Sequence, residues 1–378
     1  MFDFLFETFE KMNSGSTQWW QYVVMWIIGG VLIFLAIKKD MEPALLLPMG
    51  FGAILVNIPG ANVLTQGEEV GIIEWLNHYL IGASEALPIL LFIGIGAMID
   101  FGPLLSNPKM FILGGAAQFG IFLTILLASV LGFNLSDAAS IGIIGAADGP
   151  TSIVVAGALG SNYIGAITVV AYSYMALVPI IQPAVIKCIT SKKERLIRME
   201  YKPASVGKVT KILFPIVVSL VSGLFAPKSL ALVGFLMFGN LLRECGVLEN
   251  LSQTAQTTLA NLITLILGIT ISFFMQASSF ATLETLIIMA LGVFAFVFDT
   301  VAGVMVAKLM NLFSKKKINP MVGAAGISAF PMSARVIQKM GLKEDPENHL
   351  LMHAIGANVS GQIASAIVGG LIIGIVLG

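Results

Sequence analysis

The chain has 378 residues, of which 57% are hydrophobic and 11% are charged, and its mean hydropathy is +0.93. Soluble domains carry about 25% charged residues, so this composition excludes an ordinary soluble enzyme and predicts a polytopic membrane protein. The 21 basic and 21 acidic residues cancel, which argues against a nucleic-acid partner. The two cysteines, Cys188 and Cys245, match neither a disulfide framework nor a metal-thiolate site.

The first 20 residues lack the basic start that a cleavable signal peptide needs. Phe2, Leu5, Phe6 and Phe9 recur at helical spacing between acidic residues. This pattern predicts a short amphipathic segment at the membrane interface over residues 1–20. A frayed terminus explains the same residues equally well.

Ten apolar stretches follow, and several are shorter than the ~20 residues that an upright transmembrane helix needs. They lie near 21–37, 43–58, 84–101, 109–131, 163–187, 211–226, 230–243, 259–275, 283–307 and 349–377. Two further stretches, 138–158 and 319–336, are rich in Gly, Ala and Ser and contain Pro. We therefore predict an all-α membrane protein with about ten transmembrane helices and two re-entrant or broken hairpins.

The distribution of basic residues predicts the orientation of these spans in the cytoplasmic membrane. The segment 187–211 holds eight of the 21 basic residues, which makes it a cytoplasmic linker by the positive-inside rule. The loop 59–83 has no Lys or Arg and three Glu residues, which suits the outer side. The other basic residues agree, apart from Lys228. This agreement requires that hairpin 138–158 enters and leaves outside, and that hairpin 319–336 enters and leaves inside.

The resulting topology predicts two inverted repeats, 21–187 and 211–378, joined by the basic linker 188–210. Gly145-Ala146-Ala147-Asp148 lines up with Gly323-Ala324-Ala325-Gly326. Each hairpin is preceded by two spans and followed by one, and the two sets start in opposite directions. Inverted repeats whose broken helices meet at the midplane are a transporter architecture, with scaffold and core parts.

Asp148 is the strongest candidate for a functional residue. It lies within an otherwise uncharged apolar run and is followed directly by Gly149 and Pro150. An ionisable group at membrane depth is costly, and broken backbone is tolerated there only inside protein or beside a wet cavity. The segment therefore predicts an ion or proton site. The alternative is a structural aspartate that caps a half-helix.

Seven long motifs resemble one family of membrane proteins. They are IGIGAMIDFGPLLSNP (93–108), AASIGIIGAADGPTSI (138–153), AYSYMALVPIIQP (171–183), TSKKERLIRM (190–199), GNLLRECGVLENLSQTAQ (239–256), NPMVGAAGISAFPMSARV (319–336) and LLMHAIGANVSGQIASAI (350–367). Together they resemble the membrane β subunit of the biotin-dependent, sodium-pumping decarboxylases that act on oxaloacetate, methylmalonyl-CoA, glutaconyl-CoA or malonate. Ala146 and Ser333 depart from the family pattern without removing a polar group.

The resemblance implies a defined reaction. A carboxyltransferase α subunit moves CO2 from an acid to biotin on a separate biotin carrier subunit. The β subunit then decarboxylates carboxybiotin, exports Na+ and consumes a proton. Na+ and biotin are thus the implied cofactors. The implied partners are these two subunits and a small γ or δ membrane subunit, with the β subunit as a homotrimer.

The resemblance also implies roles for individual residues. Asp148 matches the essential aspartate, which would bind Na+ and a proton in alternation, and Tyr174 matches a tyrosine of ion or proton handling. Ser328 and Asn319 would offer neutral oxygens to Na+, and Asn319 and Gly323 would also lie near carboxybiotin. A packed tyrosine with a satisfied hydroxyl is the alternative for Tyr174.

Arg335 is predicted at the cytoplasmic mouth, where a guanidinium would hold the carboxylate of carboxybiotin. A purely topogenic charge is the alternative. Asn358 and Ser360 would supply further oxygens, unless they only pack helices together.

The remaining polar residues receive no role from the sequence. Tyr172 is expected to be a packed tyrosine. His349 and His353, four residues apart, lack the partners for a metal site. Asp100 and Asp299 are expected near helix ends.

A stand-alone secondary transporter, either a Na+/H+ antiporter or a Na+-coupled organic-acid carrier, is the main alternative function, because it too needs an inverted repeat and a buried carboxylate. A passive channel fits less well, since channels favour rings of ligands on a symmetry axis. The long motifs favour the decarboxylase subunit.

Overall fold

The structure is a computed structural model that describes residues 17–82, 85–201, 206–280 and 282–378. Helices make up the regular structure of these residues, apart from a single bridge between Gln66 and Glu69. The all-α class is therefore confirmed. Most of the predicted interfacial segment 1–20 lies outside the described residues, within which the first helix begins at Trp19.

The helices of the N-terminal half are α1 (Trp19–Lys39), α2 (Pro43–Val56), α3 (Ile72–Asn77), α4 (Ala86–Met98), α5 (Gly102–Ser106), α6 (Met110–Ala116), α7 (Phe119–Val130), α8 (Leu135–Gly142), α9 (Gly149–Ala158) and α10 (Ile164–Ile189). A π-helical turn, His78–Gly82, continues α3, and a 3-10 turn, Ile143–Ala146, continues α8.

The linker and the C-terminal half contain α11 (Lys192–Arg195), α12 (Lys208–Phe225), α13 (Leu230–Glu244), α14 (Glu249–Thr254), α15 (Ala260–Ile271), α16 (Ala277–Phe280), α17 (Leu283–Phe313), α18 (Met321–Ala324), α19 (Met332–Glu344) and α20 (Leu351–Leu377). A π-helical turn, Ala255–Leu259, joins α14 to α15. Two 3-10 turns, Pro227–Ser229 and Ser272–Met275, precede α13 and follow α15.

Seven helices of the described residues are long and apolar enough to cross a membrane, or eight if the bent pair of 72–82 and 86–98 is one span. The predicted count of about ten full spans is thus not confirmed. The predicted spans 43–58, 84–101 and 230–243 are helices of 14, 13 and 15 residues. At 1.5 Å per residue they reach about 20 Å, short of the ~30 Å hydrocarbon layer.

These shorter helices pack across the two halves through glycines. α4 crosses α13 so closely that a Cβ atom added at Gly96 would lie 1.8 Å from the carbonyl oxygen of Leu236. A Cβ atom at Gly239 would lie 2.0 Å from the carbonyl oxygen of Ile93. α2 and α15 meet in a similar way at Gly268, where an added Cβ would lie 2.8 Å from the ring of Pro48.

Three long helices, α10, α17 and α20, pack against the two broken segments. α10 packs on α17, and α20 packs on α6. Both ends of the first broken segment lie together, because Asp137 at the start of α8 accepts hydrogen bonds from Ser161 Oγ (2.7 Å) and from the Asn162 backbone and side chain. The segment therefore turns back on itself. It begins at Leu135, three residues before the predicted start.

The second broken segment also returns to the side from which it starts. Asn319 before it and Asn348 after it both donate to the carbonyl oxygen of Arg195, at 2.9 and 3.0 Å. The guanidinium of Arg195 is 2.8 Å from Glu344 at the end of α19. The helix after the break runs to Glu344, so the segment is longer than the predicted 319–336.

Candidate functional site

Asp148 lies at the break of the first hairpin, and local sequence explains the break. Ala147 adopts a left-handed conformation (φ 52°), Asp148 is extended, and Pro150 occupies the first turn of α9. Proline lacks an N–H group and favours this position. The Asp148 side chain caps α9, because it accepts a hydrogen bond from the backbone N–H of Thr151.

The two carboxylate oxygens of Asp148 have different surroundings. Oδ2 accepts hydrogen bonds from Thr151 Oγ1 (2.7 Å), Gln362 Nε2 (2.9 Å) and Ser365 Oγ (3.0 Å). Oδ1 accepts only the longer bond of 3.4 Å from the Thr151 backbone. The side chain is 2% exposed and forms no ion pair with the described residues. One oxygen is thus well bonded and the other retains acceptor capacity.

The second hairpin meets the first beside Asp148. The backbone N–H of Ser328 donates to the carbonyl oxygen of Ala146 at 3.0 Å, so the two breaks touch. Ser328 Oγ donates to the carbonyl oxygen of Gly361, and Asn358 Nδ2 donates to that of Ile327. Asn358 Oδ1 is buried and has no partner among the described residues. α20 therefore holds both breaks.

One face of α20 carries the polar groups of the site. Asn358, Gln362 and Ser365 are spaced i, i+4, i+7, which places them on the same side of a helix. All three are buried. Asn358 was among the residues predicted from the sequence, whereas Gln362, Ser365 and Thr151 were not. The helical spacing of the three α20 residues is the signal that identifies two of them.

This set of groups can hold either a proton or a small hard cation. Hard cations prefer oxygen ligands, and Asp148, Thr151 and Ser365 supply a carboxylate and two hydroxyl oxygens. A hydroxyl group rotates to present a lone pair, and an amide presents either its N–H or its oxygen. The same side chains can therefore donate to a bare carboxylate or turn their oxygens toward a bound ion.

The two tyrosines occupy different places. Tyr174 points away from Asp148, and its hydroxyl donates to the carbonyl oxygen of Met289 on α17. Tyr172 packs its ring on Gly149, where an added Cβ would lie 2.4 Å from the ring. Its hydroxyl is buried with no partner among the described residues. Tyr172 is thus the tyrosine beside the Asp148 break.

Asn319 and Gly323 lie outside the Asp148 cluster. Asn319 is buried and its amide donates to the carbonyl oxygens of Arg195 and Ile197, which ties the linker to the second hairpin. Gly323 packs against α17, where an added Cβ would lie 2.0 Å from the carbonyl oxygen of Gly303. Both residues thus join elements of the fold.

Arg335 lies on the exposed face of α19, one turn after the second break. Glu42, between α1 and α2, is close enough to interact with it. Burial raises the pKa of the Glu42 carboxyl, and the charge of Arg335 lowers it. Arg335 therefore faces the turn that follows Lys38 and Lys39.

Asp299 lies in the middle of α17, and the prediction that it lies near a helix end was wrong. It is fully buried, and its Oδ1 accepts from the backbone N–H of Gly120, where α7 begins after the Ala117–Gln118 turn. Asp299 thus caps the start of α7 from the middle of α17, since it accepts a hydrogen bond from a backbone N–H group that the turn leaves without a helical partner. Asp100 does follow α4, and it accepts from the backbone of Gly102.

Ser360 donates to the carbonyl oxygens of Met110 and Ala357 and so joins α20 to α6. His349 contacts Gln338 at 3.3 Å, whereas His353 packs against Tyr201. The described residues contain no cluster of His, Cys, Asp and Glu that would hold a metal ion.

Comparison with known proteins gives consistent matches over nearly the whole chain. The profile of the family described as the Na+-transporting oxaloacetate decarboxylase beta subunit matches residues 21–376. The methylmalonyl-CoA decarboxylase subunit beta of Propionigenium modestum is 45% identical, with 98% of each chain covered. The oxaloacetate decarboxylase beta chain of Klebsiella pneumoniae is 43% identical, over 97% of this chain and 96% of the relative. The glutaconyl-CoA decarboxylase subunit beta of Acidaminococcus fermentans is 46% identical, over 95% and 94%.

Proposed function

The chain belongs to the family of Na+-transporting decarboxylase β subunits, and we propose that it decarboxylates carboxybiotin while exporting Na+ and consuming a proton. Subunits of this family are the membrane parts of multi-subunit, biotin-dependent decarboxylases, and they couple decarboxylation to Na+ transport. The chain is accordingly a multi-pass protein of the cytoplasmic membrane.

The environment of Asp148 is the observation that carries the proposal. Its carboxylate is buried where two broken hairpins meet, and only neutral hydroxyl and amide groups surround it. A Lys or Arg side chain paired with Asp148 would keep the carboxylate ionised and would take up the oxygens that an ion needs. Neutral groups instead allow Na+ and H+ to compete for the same oxygens, which is what an exchange of the two ions requires.

In the proposed cycle, Asp148, Thr151 and Ser365 bind Na+ from the inside, with Ser328 and Asn358 at the adjoining break. After the site opens to the outside, a proton replaces Na+ on Asp148. Decarboxylation uses one proton: the C–N bond of the carbamate breaks, its electron pair stays on the ureido nitrogen, that nitrogen takes the proton, and CO2 leaves. Tyr172, beside the break, is a better placed hydroxyl for this exchange than Tyr174.

The finer assembly is also part of the proposal. Carboxybiotin arrives on a separate carrier subunit after loading by a carboxyltransferase subunit, so the acid that is decarboxylated is chosen outside this chain. A small membrane subunit and a homotrimer of this chain complete the proposed complex. Arg335 remains a proposed contact for an anionic group on the inner side, where its charge faces Glu42.

We further propose that residues 21–187 and 211–378 are inverted repeats joined by the linker 188–210. The reciprocal packing supports this: α4 lies on α13 through Gly96 and Gly239, while their counterparts α15 and α2 lie on each other at Gly268. α10 on α17 and α20 on α6 form a second reciprocal pair. These glycine-lined crossings would form a scaffold, and the hairpins would form the moving core.

Radioactive sodium uptake distinguishes this function from a secondary transporter. Inverted vesicles that contain the purified complex should accumulate sodium when the acid substrate is added, and avidin, which sequesters biotin, should abolish the uptake. Uptake that follows an imposed pH gradient and ignores avidin would instead identify a Na+/H+ antiporter.

A further inference from the structure

One buried glutamine fastens the second hairpin to the first half of the chain. Gln182, on α10, is fully buried, and its Nε2 atom donates to the carbonyl oxygen of Ala324 at 2.7 Å and to Ser333 Oγ at 2.8 Å. Ala324 ends α18 and Ser333 lies in the first turn of α19, so the two bonds span the break of the second hairpin. A single amide group therefore holds both sides of that break.

The groups that meet at Gln182 satisfy one another. Ser333 Oγ, which accepts from Gln182, has the carbonyl oxygen of Ala324 at 3.3 Å as an acceptor for its own proton. Both residues are fully buried. The amide of Gln118 also reaches this break, but its Nε2 atom lies 3.4 Å from the carbonyl oxygen of Gly326. Gln182 thus makes the shorter attachment.

The sequence around Gln182 weakens α10 itself. Pro179 and Pro183 lie inside the helix, on either side of Gln182. Proline in a helix interior removes the backbone hydrogen bond to the residue four positions earlier. This part of α10 therefore has fewer backbone bonds of its own, and the bonds of the Gln182 side chain fix it against the second hairpin.

The position of the second break bears directly on Asp148. Ser328 lies between Ala324 and Ser333, the two residues that Gln182 holds. Its backbone N–H donates to the carbonyl oxygen of Ala146 at 3.0 Å, two residues before Asp148. A displacement of the second break would therefore change the backbone next to Asp148.

The two hairpins are held in a crossed pattern. Gln182 precedes the basic linker and binds the hairpin after it, whereas Gln362 follows the linker and binds Asp148 in the hairpin before it. At the first break the acceptor is a carboxylate, whose charge can change. At the second break the acceptors are a carbonyl and a hydroxyl group, which stay neutral. The bonds of Gln182 are thus independent of which ion occupies Asp148.

We propose that Gln182 is a positioning residue for the ion site. It fixes the second break against α10, and the contact between Ser328 and Ala146 passes that position on to Asp148. Ser328 is thereby kept at the distance from Asp148 that ion binding requires. This inference rests on the proposed function, which places Na+ at Asp148. It requires that the loss of the Gln182 amide weakens Na+ binding, although Gln182 makes no hydrogen bond to Asp148.

The test compares Gln182→Met with Asn240→Leu in the purified complex. Methionine keeps the length of the side chain and removes both N–H donors. Asn240 is the matched control, because it is also fully buried and its amide joins two helices, by a bond of 2.9 Å from α13 to the carbonyl oxygen of Ile99 after α4. Both variants lose a buried amide, so both should melt at a lower temperature in K+.

The sodium response separates positioning from general stability. Gln182→Met should raise the Na+ concentration for half-maximal stimulation of decarboxylation by about fivefold, the size expected of a residue that acts through others. Asn240→Leu should leave that concentration unchanged. Ser333→Ala, which retains the bond from Gln182 to Ala324, should raise it by less than Gln182→Met does.

Hydrogen–deuterium exchange gives a readout that does not depend on pumping. Gln182→Met should speed backbone exchange over 321–331 and 143–149, and Asn240→Leu should not. A wild-type complex whose decarboxylation ignores Na+ would contradict the proposed function, and the exchange rates would still decide whether Gln182 holds the two breaks. An unchanged Na+ response of Gln182→Met, beside a normal wild-type response, would overturn the inference. An equal change in Asn240→Leu would also overturn it, because general destabilisation would then explain the effect.

Discussion

The side-chain amide of Gln362 donates a hydrogen bond of 2.9 Å to the carboxylate of Asp148, although the two residues are 214 positions apart. Ser365, one turn further along α20, donates to the same oxygen at 3.0 Å. The break of the first hairpin is thus completed by the last helix of the chain. The ion site, on our proposal, belongs to both halves.

This arrangement predicts the effect of changing Gln362. Gln362→Leu should raise the Na+ concentration for half-maximal stimulation of decarboxylation by about tenfold, because one polar contact worth ~1–3 kcal/mol is lost at a buried carboxylate. Ser360→Ala is the control on the same helix, since the Ser360 hydroxyl hydrogen-bonds to the backbone oxygens of Met110 and Ala357 and not to Asp148. A Gln362 variant with an unchanged Na+ response would remove this residue from the ion site.

The interface between α4 and α13 predicts a large difference between two glycine substitutions. Gly239→Ala should lower the thermal stability of the complex by about 1–3 kcal/mol, because the new methyl group overlaps the carbonyl oxygen of Ile93. Gly30→Ala on α1 is the control, since no atom lies within 4 Å of its added Cβ. Equal melting temperatures for the two variants would contradict the close crossing.

Asp299 predicts a contrast between an isosteric and an apolar replacement. Asp299→Asn retains an oxygen for the backbone N–H of Gly120 and should preserve the yield of folded protein. Asp299→Leu should destabilise the protein by about 1–3 kcal/mol, because it leaves that buried N–H group unpaired. The measurement is thermal unfolding of the two purified variants. Similar unfolding curves would show that the hydrogen bond between Asp299 and the Gly120 N–H contributes little to stability.

The proposed topology predicts which sites an impermeant thiol reagent reaches. In a chain with Cys188 and Cys245 replaced by Ser, a cysteine at Leu131, after α7, should react in intact cells. A cysteine at Lys315, after α17, should react only after the cells are permeabilised. Both positions are exposed, so burial does not confuse the comparison. Labelling of both cysteines in intact cells would contradict the inverted repeats.

Much of the fold follows from local sequence. Long apolar runs predict α10, α17 and α20, and Gly-Pro after Asp148 predicts the break that the structure contains. The number of full spans was not predictable in the same way. α2, α4 and α13 are apolar runs that read as spans, but their shortness depends on the packing of α4 on α13 and of α2 on α15, which the local sequence does not encode.

The site itself was only partly predictable. Asp148 can be identified from the sequence because a carboxylate within an apolar run carries a high free-energy cost in a membrane and is retained only for a function. Thr151 is a local partner, three residues after Asp148. Gln362 and Ser365 share one face of α20, but the local sequence does not encode that this face meets Asp148. Asp299 shows the same limit, because its partner Gly120 lies 179 positions earlier, at a helix break that the apolar run 109–131 conceals.

Asp148 as the site where Na+ binds is the central claim, and the stability of the purified complex in Na+ and in K+ at equal ionic strength tests it most directly. Ligand at a hundredfold excess over Kd stabilises a folded protein by about 2.7 kcal/mol. We predict that the wild-type complex melts at a higher temperature in Na+ than in K+, and that Asp148→Asn, which keeps the side-chain volume, loses this difference. An Asp148→Asn complex that retains the full Na+-specific stabilisation would show that the ion binds elsewhere.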